Sequence, residues 1–372
     1  MIPASILLVV TIASTFYVAI AVVRVAAFLM RPLEIGSEFL PSISILKPIA
    51  GLEPELYENL RSACDQDYGA PYEVVLALHA DHDPATPIAR RLAAEFPAIA
   101  RIAIGENTAI LNPKIANLAK AGAEPRGEIV VIADSDIRAG RDYLKAMAAS
   151  FATEEIGAAT CLYRGIPNAS LVSRLGAMQI EDVFIPSVLV ALALGELRFC
   201  LGATMAARRS LLERTGGLEA LGETIADDHR LGELVAAQGK QIDLSRYVVA
   251  TTVPETTLRE LWSHELRWAR TNFALAPVGY AFSFLMYALP WTIAYLAVSR
   301  NLTWGLPLLA VAVGLRLGLH YFSRAALGVA RSGDGWLIPL RDFLSLAVWF
   351  ASLFGRTVRW RGRSFAPRLR SG

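Results

Sequence analysis

Two aspartates one residue apart, Asp134 and Asp136, directly follow the apolar run Ile129–Ala133. The run is rich in β-branched residues, so it predicts a buried strand that delivers both carboxylates to the edge of a sheet. Hard divalent cations take oxygen ligands, and Mg²⁺ commonly combines one or two carboxylates with substrate phosphates. The pattern therefore predicts a site for a metal-bound diphosphate, with an ordinary acidic turn at a strand end as the alternative.

Other acidic residues are candidates for the same site. Asp81 and Asp83 follow another apolar run, and they fit either an Asx-type turn that starts a helix or a carboxylate that binds the base or ribose of a nucleotide. Asp227 and Asp228 stand at the start of a predicted helix, where one carboxylate can cap the helix. The other can act as a general base, because a hydroxyl is a poor nucleophile until its proton is removed.

A later helical segment carries Arg267 and Trp268 shortly before an apolar run. Both residue types favour the headgroup region of a membrane, so an interfacial helix is one interpretation. In the other, the guanidinium of Arg267 pairs with a departing diphosphate while Trp268 packs against a substrate. Position in the sequence fits both.

Strands and helices alternate around the aspartates. Each predicted strand is followed by a helix-like segment, which favours a mostly parallel sheet covered on both faces. In such sheets ligands bind beyond the carboxyl ends of the strands, which is where the aspartates fall. The glycine-rich phosphate loops of dinucleotide and P-loop proteins are absent. The predicted strands are residues 43–46, 74–78, 101–104 and 129–133, and the predicted helices are 56–63, 87–96 and 115–121.

The composition indicates a membrane protein, since 54% of the 372 residues are hydrophobic and 19% are charged. Residues 5–30 are apolar over a length that crosses a hydrocarbon core, and no basic residue precedes them as in a signal peptide. Residues 280–299 and 302–322 also reach spanning length, with Arg316 and His320 expected to snorkel or face protein. Residues 336–354 contain Arg341 and Asp342, so a span and a re-entrant or interfacial helix fit equally.

Basic residues set the expected orientation. The positive-inside rule places the basic tail and Arg31 on the cytoplasmic side, and with them the globular part of the chain. The net charge is only +2 and the globular part has no basic face, so contact with anionic lipid is favoured over nucleic-acid binding. Cys64, Cys161 and Cys200 lack metal-ligand spacing and fit reduced thiols. The tail arginines are Arg356, Arg359, Arg361, Arg363, Arg368 and Arg370.

These patterns predict three parts of the chain. Residues 1–33 form a transmembrane anchor, and residues 34–275 form a cytosolic domain. Residues 276–372 form a membrane region of two spans, a possible third or re-entrant element, and the basic tail.

Taken together, the motifs resemble those of the ceramide glucosyltransferases, family-2-like transferases with the GT-A fold. Residues 161–165 (Cys-Leu-Tyr-Arg-Gly) and 175–177 (Leu-Gly-Ala) resemble the bacterial hopanoid-biosynthesis-associated members more than the animal enzymes. The resemblance implies an α/β, Rossmann-like GT-A domain in the cytosol, with transmembrane helices before and after it. It runs through residues 44–48 (Ser-Ile-Leu-Lys-Pro), 112–118 (Asn-Pro-Lys-Ile-Ala-Asn-Leu), 134–138 (Asp-Ser-Asp-Ile-Arg), 202–205 (Gly-Ala-Thr-Met), 227–228 and 267–268.

The same resemblance implies roles for individual residues. Asp134 is the second motif aspartate and Asp136 its metal partner, while Asp83 is the first motif aspartate, with Asp81 as its competitor. Lys114 and Asn117 resemble the lysine and asparagine that bind the donor. The implied catalytic residues are the base Asp228 and the pair Arg267 and Trp268, which end a (Q/R)xxRW signature that has His264 at its first position.

The implied activity is that of a membrane-bound inverting glycosyltransferase. It would move glucose or N-acetylglucosamine from a UDP-sugar to the hydroxyl of a membrane lipid, ceramide or a hopanoid, with Mn²⁺ or Mg²⁺ as cofactor. The expected location is the inner membrane, as a multi-pass protein with its catalytic domain on the cytoplasmic side. The alternatives are a processive polysaccharide synthase of the cellulose or chitin type and a non-catalytic membrane protein that binds lipid or nucleotide.

Overall fold

The computed structural model describes residues 3–36, 38–120, 123–330, 333–355, 358–360 and 363–365. The chain divides into two compact units. The sheet unit comprises Arg31–Ile166 and Gly195–Thr252, and the helical unit comprises Met1–Met30, Pro167–Leu194 and Val253–Gly372. The predicted boundaries at residues 33 and 275 stay predictions.

The sheet unit is built on one eight-stranded sheet with the order β3-β2-β1-β4-β7-β6-β8-β5. Strands β3, β2, β1 and β4 run parallel to one another. Strand β7 pairs antiparallel with β4 and with β6. The strands are β1 (Ile43–Ile49), β2 (Tyr72–Leu78), β3 (Ala100–Ile104), β4 (Ile129–Ala133), β5 (Ile137–Arg138), β6 (Ile156–Pro167), β7 (Thr204–Arg208) and β8 (Gln241–Val253), and a separate hairpin comprises β9 (Val358–Trp360) and β10 (Arg363–Phe365).

The helices that follow the parallel strands match the predicted crossovers. They cover a sheet whose central strands β1 and β4 are buried at every residue, as expected for a parallel sheet protected on both faces. The predicted α/β class is therefore confirmed. The helices are α1 (Ala4–Met30), α2 (Leu56–Cys64), α3 (Thr86–Glu95), α4 (Pro113–Leu118), α5 (Tyr143–Ala149), α6 (Leu171–Gln179), α7 (Ile185–Ala191), α8 (Arg209–Arg214), α9 (Asp227–Ala237), α10 (Leu258–Leu275), α11 (Pro277–Ala281), α12 (Ala288–Ser299), α13 (Leu302–Ala326) and α14 (Ile338–Ser352).

Strand β1 runs three residues beyond its predicted end, through Lys47 and Pro48. Its pairing with β4 stops at Leu46, whereas its pairing with β2 continues to Ile49. A proline has no N–H for a sheet ladder, and Pro48 lies just past the stretch that is paired on both sides. The last three residues of β1 therefore pair with β2 but not with β4.

Helices α1 and α13 are each long and apolar enough to cross a membrane. The predicted span at residues 280–299 is not one straight helix, because the chain bends by 63° between Pro277–Met286 and α12. An unbroken helix would hold Pro290 in its interior, where proline costs about 3 kcal/mol. In α12 the same proline is the third residue, in the first turn, where N–H groups have no helical acceptor. If the bent pair counts as one span, the described residues contain three candidates.

The last helix carries buried charges that pair within the helical unit. Arg316 is 1% exposed and donates to both oxygens of Asp342, with Nη2 2.6 Å from Oδ1. Arg341 is fully buried and forms two 2.7 Å hydrogen bonds with the carboxylate of Glu265. Of the two predicted possibilities for Arg316, it faces protein. Helix α14, at 15 residues, is shorter than a typical span.

A π-helix at Ile180–Phe184 links α6 to α7 and contributes two more buried carboxylates. Asp182 accepts a hydrogen bond from His320 Nδ1 at 2.7 Å, and Glu181 pairs with Arg324 at 2.9 Å. Both cationic partners lie on α13, so His320 also faces protein. The side chains of all six arginines of the predicted basic tail lie outside the described part of the chain.

Candidate active site

The turn after β4 is fixed by main-chain contacts. The N–H of Asp134 donates to Ala203 O at 3.1 Å, because β7 starts antiparallel beside the end of β4. Lys47, which is 2% exposed, donates from Nζ to the carbonyl oxygens of Asp134 (2.8 Å) and Ile137 (3.1 Å). The backbone is thus held, while the side chain of Asp134 remains 39% exposed.

Lys114 joins the two acidic segments. Its ammonium group lies 2.9 Å from Asp134 Oδ1 and 3.0 Å from Asp227 Oδ2, and it donates to Gly202 O at 3.1 Å. Three segments that are far apart in sequence therefore meet at one cation. The ammonium therefore pairs with two carboxylates and donates a hydrogen bond to one main-chain carbonyl.

The position of Lys114 follows from the cap of α4. Asn112 is fully buried, and its Oδ1 accepts from the N–H groups of Lys114 (2.9 Å) and Ile115 (3.4 Å), as an N-cap asparagine does. Its amide Nδ2 donates to Thr224 O (3.1 Å) and to Asp227 Oδ1 (3.4 Å). One side chain thereby ties the start of α4 to the segment that begins α9.

Asp228, the second residue of α9, lies against the glycine that precedes β7. A Cβ at Gly202 would lie 3.2 Å from Asp228 Oδ2, so the glycine permits a close approach of backbone and carboxylate. The N–H of His229 donates to Asp228 Oδ1 at 2.8 Å, and Cys200 N donates to Asp228 O. These contacts hold the carboxylate on the side of the cluster formed by residues 200–203.

Burial and mutual repulsion raise the pKa values of two of the aspartates. Burial raises the pKa of Asp136 to about 7, and the charge of Asp134 adds to the rise. Burial also raises the pKa of Asp228 to about 7, with the neighbouring Asp227 contributing. Burial alone would lower the pKa of Lys114, but Asp134 and Asp227 outweigh burial and raise it. The cluster therefore keeps its lysine charged and has more negative charge than the lysine offsets.

The site fits a divalent cation only together with a ligand. Among the residues that the structure describes, no three His, Cys, Asp or Glu side chains are grouped to hold a metal ion by themselves. Asp134 and Asp136 supply two carboxylates, and Asp136 Oδ2 also accepts from Thr251 Oγ1 at 2.8 Å. Two repelling carboxylates at an edge match Mg²⁺-type sites that draw their remaining ligands from phosphates and water.

The two candidates for the first motif aspartate have different surroundings. Asp83 accepts from the N–H of Gly51, 3.0 Å from each carboxylate oxygen, and so joins the carboxyl ends of β1 and β2. Asp81 forms an ion pair with Arg90, and both side chains are more than 60% exposed. Asn117 is buried, and its amide donates to Ile49 O and Ala77 O at 3.0 Å, again joining these two strand ends.

The remaining predicted residues belong to the helical unit. Arg267 and Trp268 are half-buried on α10, which starts with a capping box between Thr257 and Glu260. His264, one turn earlier, contacts the ring of Trp268. The structure thus gathers Lys114, Asp134, Asp136 and Asp228 in one unit, with Arg267 and Trp268 in the other.

Two residues near the aspartates were missed as individual candidates. Lys47 appears in the sequence prediction only as part of a motif. It is the one charged residue of a wholly buried strand, and a lone charge in an apolar run indicates a specific partner or role. Burial lowers its pKa to about 8, despite the nearby Asp136 and Asp134. Tyr163 is 8% exposed, and the charge of Asp228 helps burial to raise its pKa. Nothing in the local sequence of β6 marks this tyrosine.

Comparison with solved structures supports the architecture. A mannosyltransferase from Pyrobaculum calidifontis, solved in complex with GDP-Man and Mn²⁺, superposes with a TM-score of 0.54. The superposition covers 94% of this chain and 99% of the mannosyltransferase, at 20% sequence identity. The predicted fold, a GT-A-type α/β domain with apolar helices before and after it, is confirmed.

The chain belongs to glycosyl transferase family 21, whose family model matches residues 6–372. Ceramide glucosyltransferase 1 of Caenorhabditis elegans is 27% identical over 244 residues, which cover 64% of this chain and 51% of that relative. The ceramide glucosyltransferase of Pyricularia oryzae is 22% identical over 426 aligned residues, covering 90% of this chain and 86% of the relative. In the first of these matches, the chain spans about half the length of the curated relative.

The raised pKa of Asp228 predicts that this residue destabilises the folded protein at alkaline pH. Its pKa of about 7 lies above the value of 3.8 for an unperturbed aspartate, so the stability it supports below pH 4 is lost as pH rises towards 7. Because part of the residue reaches solvent, we expect Asp228→Asn to raise the free energy of unfolding by about 1–3 kcal/mol at pH 8, and by less at pH 5.

Thermal unfolding of purified protein in detergent at the two pH values measures this difference. Asp81→Asn serves as the control, since Asp81 is exposed and pairs with an exposed arginine. An equal change of Tm for Asp228→Asn at pH 5 and pH 8 would contradict the prediction.

Proposed function

We propose that this chain is a membrane-bound inverting glycosyltransferase. It transfers glucose or N-acetylglucosamine from a UDP-sugar to the hydroxyl of a membrane lipid, ceramide or a hopanoid. The observation that carries the proposal is the aspartate cluster around Lys114, at the carboxyl ends of the strands, in a chain of family 21. The names of the relatives support ceramide as an acceptor, and the motif resemblance to hopanoid-associated members supports a hopanoid.

The donor diphosphate binds beside Asp134 and Lys114. The ammonium of Lys114 contacts two carboxylates, and it can also offset phosphate charge when the donor arrives. A divalent cation, Mn²⁺ or Mg²⁺, would be held by Asp134 and Asp136 and would supply charge neutralisation for the departing diphosphate. Asp83 contacts the nucleoside part of the donor, and Asn117 shapes that region by holding the ends of β1 and β2.

Asp228 acts as the general base. Its carboxylate takes the proton of the lipid hydroxyl as the hydroxyl oxygen forms a bond to the anomeric carbon of the sugar. The bond between that carbon and the phosphate oxygen breaks on the opposite face, and UDP leaves. The configuration at the anomeric carbon is thereby inverted. A pKa of about 7 suits a base at neutral pH, because the carboxylate is available and still basic enough to accept a proton. Arg267 pairs with the leaving diphosphate, and Trp268 contacts the acceptor.

The protein is placed in the inner membrane as a multi-pass protein, with the sheet unit on the cytoplasmic side. The candidate spans α1 and α13 support membrane insertion. The positive-inside rule, applied to the basic tail and Arg31, supports the cytoplasmic orientation. The proposal also divides the chain into an anchor (residues 1–33), a catalytic domain (34–275) and a membrane region (276–372).

The transfer reaction is the test of this proposal. Purified protein in detergent is incubated with radiolabelled UDP-glucose or UDP-N-acetylglucosamine, with ceramide or bacteriohopanetetrol, and with Mn²⁺, Mg²⁺ or a chelator. We expect one labelled lipid, formed only with a metal ion present. Asp134→Ala and Asp228→Ala should each lower transfer by at least about 100-fold, because one loses a ligand of the diphosphate and the other the base.

The folding control is the Tm of each variant, which should equal that of the wild-type protein. Full activity in either variant would overturn the role given to that aspartate. Binding of a UDP-sugar without any labelled lipid would contradict the proposed acceptor class, and a long carbohydrate product would favour a polysaccharide synthase.

Gly202 gives a sharper test of the base. A methyl group at this position would lie 3.2 Å from Asp228 Oδ2 and must displace the carboxylate by a few tenths of an ångström. We expect Gly202→Ala to lower kcat by about 3- to 10-fold, since small misplacements of a catalytic group reduce rate steeply.

Gly195→Ala is the matched control, because an added Cβ there meets no atom within 4 Å. Steady-state kinetics with saturating donor measure both variants. The same kcat for both would argue against Asp228 as the base.

A further inference from the structure

A carboxylate and an imidazole meet at α10, one turn before Arg267 and Trp268. His264 Nδ1 hydrogen-bonds to Glu255 Oε1, and Glu255 is only 7% exposed. A buried carboxylate needs a partner that satisfies its charge or its hydrogen bonds. The hydrogen bond also fixes the orientation of the imidazole ring, as in carboxylate–histidine pairs generally.

The oriented ring of His264 contacts Trp268. The ring centroids lie 4.3 Å apart, and the planes meet at 66°, an edge-to-face arrangement. Residues four apart share one face of a helix, so the contact is local to α10. Aromatic contacts of this geometry have a preferred orientation, which restricts the rotamers of the indole.

The segment that carries Glu255 is itself fixed. Ser173 Oγ donates to Val253 O at 2.6 Å, and Ser170 Oγ donates to Glu255 O at 3.3 Å. Gly176 leaves room for this segment, because a Cβ there would lie 2.8 Å from a methyl group of Val253. The Glu255 backbone is therefore anchored to α6 and the residue preceding it before its side chain reaches His264.

The neighbouring residue on α10 is anchored to another helix. Glu265 accepts two 2.7 Å hydrogen bonds from Arg341 on α14, and Arg341 also donates to Leu175 O at 3.0 Å. Adjacent residues of α10 are thus held by different elements. Together they fix the rotation of the helix about its axis at the turn that presents Arg267 and Trp268.

We propose that His264, oriented by Glu255, is a positioning residue that holds the indole of Trp268 in place to bind the lipid acceptor. The proposal rests on the proposed function. Trp268 keeps the acceptor role that the proposed function gives it, and α10 belongs to the same compact unit as the candidate membrane spans. Histidine and glutamate thereby act through the tryptophan and take no part in proton transfer.

The position of the indole can be measured without any transfer reaction. The protein has seven tryptophans, so protein labelled with 5-fluorotryptophan in detergent gives a small set of ¹⁹F NMR resonances. Trp268→Phe identifies the resonance of Trp268. We expect His264→Ala and Glu255→Gln to shift or broaden that resonance. His264→Gln should restore it only in part, because a glutamine amide can donate to Glu255 but has no ring to pack against the indole.

Ser263→Ala is the matched control, since Ser263 is the exposed neighbour of His264 on the same helix. It should leave the Trp268 resonance unchanged. An unchanged Trp268 resonance in both His264→Ala and Glu255→Gln would overturn the proposal.

Kinetics supply the second readout. We expect His264→Ala to raise the KM for the lipid acceptor by about 10-fold and to leave the KM for the UDP-sugar within about 2-fold, with His264→Gln recovering part of the loss. Equal changes in both KM values would overturn the proposal, because they indicate general damage. If the wild-type protein transfers no sugar, the proposed function fails, and the ¹⁹F spectra still decide whether His264 positions Trp268.

Discussion

The ion pairs of Lys114 with Asp134 and Asp227 are the contact on which the site depends. Without that ammonium, carboxylates from two segments more than 90 residues apart would repel each other across the end of the sheet. The fold supplies the lysine through a buried asparagine cap that also binds the segment leading into α9. Negative charge still exceeds positive charge in the cluster, because four aspartates lie near two lysines, Lys114 and Lys47. Burial, and then the charges of Asp134 and Asp227, raise the pKa values of Asp136 and Asp228. A ligand that brings a cation relieves this excess, which gives the site a physical reason to bind a metal and a diphosphate together.

The helical unit follows the same rule with different partners. Charges in an apolar surrounding are tolerated when each has an opposite charge with good hydrogen-bond geometry. Arg316 makes three hydrogen bonds to the carboxylate of Asp342, and Arg341 makes two to the carboxylate of Glu265. Removing one partner of such a pair leaves a buried charge, so these contacts specify which helices associate. The pair Glu265–Arg341 links this packing directly to the helix that carries Trp268.

Local patterns predicted strands β1 to β4 and the acidic turn, since a β-branched run followed by Asp134 and Asp136 needs no distant contact to be read. The family motifs predicted the importance of Lys114 but not its bridging of Asp134 and Asp227, which depends on pairing between distant segments. Three other features could not be predicted for the same reason: the antiparallel strand β7, the contact of Gly202 with Asp228 and the hydrogen-bond partner of His264. The break before α12 was readable from Pro290, but average hydropathy over a window hides a bend. The roles given to the individual site residues remain predictions.

Binding of UDP to the purified protein, with Mn²⁺ and with a chelator, tests the central claim most directly. Isothermal titration gives the Kd in each condition. The excess negative charge at the cluster predicts that Mn²⁺ tightens UDP binding by at least about 10-fold, or 1.4 kcal/mol, and that Asp136→Asn removes most of this gain. The same Kd with Mn²⁺ and with the chelator would contradict the claim that the aspartates and the diphosphate share a cation.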